Sequence, residues 1–197
     1  MKLHRILEET FSVFQEQAEN AKIILLHPRS RYRSLLIARL INSSEFTAFY
    51  YALGPDDINL QSFLSGIMHD LANQHPTFGR HLNMLPPEAE ADQATLLDAF
   101  ASDISELSSQ PFFLILDEYD RSDVADDVQM FIEKLVGRLP QHCSLIVNSR
   151  TLPRLPWVSM IARGDAVLLE DDAVIRREFY DIQGKGTKML EVYALGP

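Results

Sequence analysis

Phe112-Phe113-Leu114-Ile115-Leu116-Asp117-Glu118 is an unbroken apolar run that ends abruptly on two carboxylates. A run without polar alternation leaves no face for water, and strands buried on both faces belong to parallel sheets covered by helices. The same signature recurs upstream in Ile23-Ile24-Leu25-Leu26 and downstream in Ser144-Leu145-Ile146-Val147. Phe46-Thr47-Ala48-Phe49-Tyr50-Tyr51, closed by Gly54-Pro55, and Ala166-Val167-Leu168-Leu169 bring the candidate strands to five.

Between these runs the apolar residues recur at helical spacing. Helices are expected over residues 6–18, 35–41, 60–74, 93–107, 124–139 and 156–163. Asn59 and Asp92 are the expected N-caps of the third and fourth, and Leu96, Leu97, Phe100 and Ile104 form one stripe. Residues 75–91, with Pro76, Pro86 and Pro87, read as an irregular surface connection. Strands alternating with helices imply βαβ crossovers. The expected fold is α/β, a three-layer αβα domain on a mostly parallel five-stranded sheet.

Charge and cysteine count narrow the function classes. Eighteen basic against 28 acidic residues give a net charge of −10. Duplex affinity rests on Lys and Arg displacing counterions from phosphates, so this chain alone is expected not to bind DNA. Cys143 is the single cysteine, which excludes an internal disulfide and a multi-cysteine zinc site. Its apolar surroundings predict a packed small side chain; a reactive thiol is the alternative. The six histidines have no metal-ligand spacing and no Gly-x-Ser-x-Gly elbow is present. Trp157 reads as a packing anchor. Residues 1–20 hold no signal-peptide core, and no apolar run approaches the roughly 20 residues of a membrane span, so a cytoplasmic location is expected.

In this architecture ligands sit at the carboxyl ends of the strands, so the first βα turn is the decisive segment. A P-loop reads Gly-x-x-x-x-Gly-Lys-Ser/Thr: glycines let amides curl around phosphate, the Lys bridges terminal phosphates, and the hydroxyl binds magnesium. His27-Pro28-Arg29-Ser30-Arg31-Tyr32-Arg33-Ser34 occupies that place. Ser34 keeps the hydroxyl and Arg33 replaces the Lys. His27 and Tyr32 replace the two glycines, and Ser30 stands where many such loops add a third. A side chain at such a position costs on the order of 1 kcal/mol or more where positive φ is required. Arg29, Arg31 and Arg33 still attract an anion; the alternative is a solvated basic loop without a ligand.

The run ending in Asp117-Glu118 has the form of a Walker B strand, whose Asp holds magnesium through water and whose Glu polarises the attacking water. A solvated acidic turn, continued by Asp120, Asp123, Asp126 and Asp127, is the alternative. The fourth strand exits through Asn148-Ser149-Arg150, placed either to sense a terminal phosphate or simply to turn.

Taken in order, residues 25–34, 112–120 and 145–150 resemble the STAND class of signal-transduction ATPases, relatives of AAA proteins. Thr151-Leu152-Pro153-Arg154-Leu155 is similar to the segment after the Ser-Arg pair in LuxR-type large transcriptional activators. Gln183-Gly184-Lys185-Gly186 reads as a flexible link. The following 190–197 resembles the opening strand of the OmpR-like winged helix in regulators with a bacterial transcriptional activator domain (SARP-like). The implied organisation is a P-loop NTPase-like regulatory domain over 1–180 and, over 181–197, a linker and the first strand of a winged-helix domain.

By that resemblance Ser30, Arg31, Arg33, Ser34, Asp117, Asn148 and Arg150 are the nucleotide-binding positions. Ser34 and Asp117 are the magnesium positions, and Glu118 is a vestigial catalytic one. The departures at His27, Ser30 and Tyr32 predict lost or weak ATP binding, so no cofactor is expected; ATP with magnesium is the one candidate. The implied partners are other domains of the same regulator and a second copy, with neither DNA nor membrane. Three functions compete: a switch or interaction module without efficient hydrolysis, an ATP-dependent STAND switch with an unorthodox loop, and an unrelated α/β enzyme on the same sheet.

Overall fold

The structure, a computed structural model, describes residues 2–28, 30, 32–85 and 93–169, without the side chains of residues 2–7 and 9. Arg31, Asp92 and the expected domain boundary near residue 180 lie outside the described residues.

The chain order is α1 (Lys2–Ala18), β1 (Ile23–Leu26), α2 (Arg33–Asn42), β2 (Thr47–Ala52), α3 (Leu60–Gln74), α4 (Arg80–Asn83) and α5 (Gln93–Ser105). It continues with β3 (Phe112–Asp117), a 3₁₀ turn Tyr119–Ser122, α6 (Asp126–Val136), β4 (Cys143–Asn148), α7 (Trp157–Ala162) and β5 (Ala166–Leu169). All five strands are parallel in the order β2-β3-β4-β1-β5. Every strand therefore ends at the same edge, and β4 lies between the strand before the first βα turn and the strand ending in Asp117.

Strand alternation sorts the core into two layers. Ile24, Leu26, Ile115 and Ile146 pack with Phe11 and Phe14 of α1 and Leu36, Ile37 and Leu40 of α2. Ile23, Leu25, Leu114, Leu116 and Leu145 pack with α3, α5, α6 and α7 through Phe63, Phe100, Phe131 and Met160. Each of these aromatics is at most 1% exposed, and full burial of such a side chain contributes about 2–3 kcal/mol. Trp157 joins the second layer, its indole N–H donating to the Pro153 carbonyl at 2.9 Å.

Local signals explain several boundaries. The Asn59 side chain accepts from the Ser62 amide at 2.9 Å and caps α3 as expected. The Leu60 amide donates to Asp127 at 2.8 Å, so α6 caps the same end from 67 residues away. Gln74, the last residue of α3, uses its amide to accept from the Tyr50 N–H at 2.9 Å and donate to the Tyr50 carbonyl at 2.7 Å. It thereby occupies backbone groups that β2, the last strand on its side, otherwise offers to another chain.

The expected surface connection 75–91 contains the short helix α4, with Phe78 and Leu82 buried. Gly79 turns the chain into it at φ +85°, and buried Asp103 of α5 accepts from the His81 and Leu82 amides at 2.8 and 3.1 Å. Asp103→Ala leaves two amides without their acceptor, and a loss of about 2 kcal/mol in urea unfolding is expected.

The helix expected from residue 124 begins at Asp126 instead, because the chain first winds the 3₁₀ turn that buries Tyr119 and Ser122. Cys143 is packed, as its apolar surroundings predicted, and burial pushes its thiol up to about 12. Near pH 8 the folded protein is therefore expected to react with a thiol reagent only as fast as it opens, whereas an exposed thiol reacts at once.

Candidate functional site

At the carboxyl edge of the sheet, β1 passes Leu26 and the His27 amide donates to the Leu169 carbonyl of β5 at 3.0 Å. The Ser30 amide donates back to the His27 carbonyl at 2.8 Å, and the Leu36 amide to the Tyr32 carbonyl at 2.9 Å. The turn is thus short, and α2 begins at Arg33. Tyr32 supplies no side-chain cap, so no hydroxyl or carboxylate neutralises the amino end of α2 from that position. Ser34 is exposed on the first turn of α2. Arg33, at the lysine position, donates its guanidinium to the carbonyl of Ser149, just past β4. The cation expected to face phosphate instead ties α2 to the β4 exit.

The aspartate ending β3 is equally engaged. Asp117 Oδ2 accepts from the Tyr50 hydroxyl at 2.7 Å. Its Oδ1 accepts from Asn148 Nδ2 at 2.6 Å and from the Glu118 amide at 2.7 Å. Alternation places all three side chains on the face covered by α2, since Ile115, Ile146 and Tyr50 pack in that layer. Burial and the hydrogen bond to Asp117 push the Tyr50 phenol well above its ordinary range, so at neutral pH it stays a donor. A carboxylate only accepts, which fixes the amide of Asn148 with its NH₂ toward Asp117. Its Oδ1 is buried with no hydrogen-bond partner among the described residues.

Glu118 has φ 51° and ψ 36°, the one left-handed non-glycine backbone among the described residues. That conformation costs about 1 kcal/mol or more for a residue with a Cβ. It turns Glu118 Oε2 onto Arg121 Nε at 2.6 Å, with Arg150 Nη2 at 3.8 Å. Arg150 closes onto Asp120, its backbone amide on one carboxylate oxygen at 2.9 Å and Nε on the other at 3.0 Å. The Thr151 hydroxyl donates to Asp123 at 2.6 Å, and Arg154 reaches the Asp123 carbonyl and, at 2.7 Å, Asp126. The β3 exit and the Ser-Arg segment after β4 are therefore laced together.

These residues do not fit a magnesium nucleotide as they stand. Magnesium demands near-ideal octahedral geometry and keeps most of its waters. An aspartate already accepting three protein hydrogen bonds offers it little. Glu118 is tied to Arg121, and Arg33 is committed to the Ser149 carbonyl. Among the described residues no group of three or more His, Cys, Asp or Glu side chains is placed to hold a metal, and no helix is long and apolar enough to cross a membrane.

Of the residues singled out in the sequence, Asp117 and Asn148 touch, Glu118 and Arg150 form a long ion pair, and Arg33 reaches Ser149. Ser30 lies in the turn and Ser34 on the helix; Arg31 lies outside the described residues. Sequence reading missed Tyr50, Arg121 and the docking role of Asp120, Asp123 and Asp126. Tyr50 shares a face of β2 with Ala52, the register partner of Asp117, and that register is visible only in the folded sheet.

No family model matches the chain, and no curated protein matches it significantly. Solved structures do. A chain of the Drosophila ORC structure bound to AT-rich DNA and Cdc6 matches with TM-score 0.51 at 15% identity, over 86% of this chain and 56% of that one. The corresponding structure with GC-rich DNA and Cdc6 gives TM-score 0.51 at 14% identity, over 86% and 57%. The chain thus spans a little over half the length of these two chains. At these identities the likeness shows the fold alone, a P-loop NTPase-like one.

Proposed function

We propose that this domain is a regulatory NTPase-like signalling and interaction module of a multidomain bacterial transcriptional activator, with lost or weak ATP binding. The observation that carries this reading is the mutual pairing of the groups an NTPase would use. Asp117 is held by Tyr50, Asn148 and an amide, Glu118 by arginines, and Arg33 by a carbonyl. A scaffold that keeps its polar edge but commits it internally is suited to rigid display, not turnover. The partners on this reading are other domains of the same regulator and a second copy, and contact with DNA falls to another domain because of the −10 charge.

The amino end of α2, which Tyr32 does not cap with its side chain, favours a second reading, an ATP-dependent STAND switch with an unorthodox P-loop. Thermal melts separate the two. A ligand held at 100 times its Kd stabilises by about 2.7 kcal/mol, several degrees for a domain of this size. The first reading expects Mg-ATP and Mg-ADP to leave the midpoint where it is; a rise of several degrees supports the switch instead.

A further inference from the structure

We infer that Tyr50 is the lock on the magnesium position: its hydroxyl, together with Asn148, holds Asp117 as an internal hydrogen-bond acceptor and keeps a divalent cation off it. The inference rests on the reading of this edge as a degenerate NTPase site and names the residue that closes it.

The geometry assigns unequal roles to the three donors. The Glu118 amide is the peptide that follows Asp117 and is present whatever the side chains are. Asn148 satisfies Oδ1 from β4, the neighbouring strand, at 2.6 Å. Among the described residues only Tyr50 donates to Oδ2, at 2.7 Å from β2 on the other flank. The carboxylate is thus clamped from both neighbouring strands, and a cation or its bound water competes with the phenol for Oδ2. Hydrogen bonds to a charged acceptor are about twice as strong as neutral ones, and this one is partly buried beside the apolar layer under α2. The phenol is held in turn: Gln74 engages both the N–H and the C=O of Tyr50, fixing the backbone from which the ring projects.

Tyr50→Phe removes one oxygen atom, keeps the ring in its layer, and leaves Asp117 Oδ2 without its protein donor. The test uses the whole chain, ¹⁵N-labelled, with Mn²⁺ as a paramagnetic stand-in for magnesium. Broadening of the Glu118 and Asn148 amide signals reports a cation at Asp117 and separates it from weak binding elsewhere on the acidic surface. Wild type, Tyr50→Phe and Tyr50→Phe/Asp117→Asn are titrated side by side, each first checked for a native spectrum.

The expected result is site-specific broadening in Tyr50→Phe at an Mn²⁺ concentration at least about tenfold lower than in wild type, the scale of one charge-assisted hydrogen bond removed from competition. The double variant is expected to lose that gain. Equal broadening in wild type and Tyr50→Phe, no broadening in either, or a gain that survives Asp117→Asn overturns the lock. Failure of the underlying reading is visible separately, as stabilisation of the wild-type protein by Mg-ATP.

Discussion

Asp117→Ala is expected to lower the unfolding free energy by about 3 kcal/mol, read as a shift of the urea midpoint. The residue at the end of a functional Walker B strand serves a metal. Here it accepts from Tyr50, Asn148 and the Glu118 amide, and deleting it strands three donors on a partly buried face. Asp117→Asn provides the contrast. Its carbonyl oxygen can still accept from Asn148 and the Glu118 amide, while its NH₂ donates to the Tyr50 hydroxyl, which accepts as readily as it donates. That variant is expected to lose only about 1 kcal/mol. If both variants unfold with wild type, Asp117 is not the structural hub described above.

Gly66→Ala is the second large effect, a net loss of about 3 kcal/mol in the same measurement. In an ordinary helix interior this change gains about 1 kcal/mol from propensity. In α3 the new methyl falls onto the Tyr51 hydroxyl, 3.1 Å from Tyr51 Cζ and 3.3 Å from an Asp57 oxygen. Tyr51 donates to Asp57 Oδ2 at 2.7 Å, and the Gly54 amide donates to the same oxygen at 2.6 Å. Asp57 is only 4% exposed, so displacing the phenol leaves a buried carboxylate short of a donor. Introduced into Tyr51→Phe, the same Gly66→Ala change costs less, because the hydroxyl it strikes is already gone. Equal costs in both backgrounds place the strain elsewhere.

The strands and their direction were readable because burial on both faces forces continuous apolar runs, which neither Phe112–Asp117 nor Ile23–Leu26 could hide. The Asn59 cap was readable because capping is local, and the buried stripe of Leu97, Phe100 and Ile104 because its period is helical. Contacts whose partners lie far apart in the chain were not readable. Asp127, grouped with a solvated acidic turn, caps a helix 67 residues earlier. Asp120 and Asp123 anchor the segment after β4. Tyr50 looked like one more aromatic in a strand, since its role depends on which strand pairs with β2 and in what register. The left-handed backbone at Glu118 had no local warning either, glutamate being an uncommon residue there.

The loop substitutions at His27 and Tyr32 and the pairing at Asp117 point the same way by independent routes. One concerns the space and backbone freedom around phosphate, the other the electrostatic supply for a cation. A change that repairs only one is expected to leave nucleotide affinity low, so Tyr50→Phe is expected to admit a cation without by itself creating an ATP site.

Calorimetric titration of the wild-type chain with ATP and with ADP, in magnesium, bears most directly on the claim that this edge of the sheet is committed to itself. The expected result is no binding heat beyond dilution for either nucleotide. A saturable heat of one nucleotide per chain with a micromolar Kd, abolished by Asp117→Asn in a protein that still folds, contradicts it.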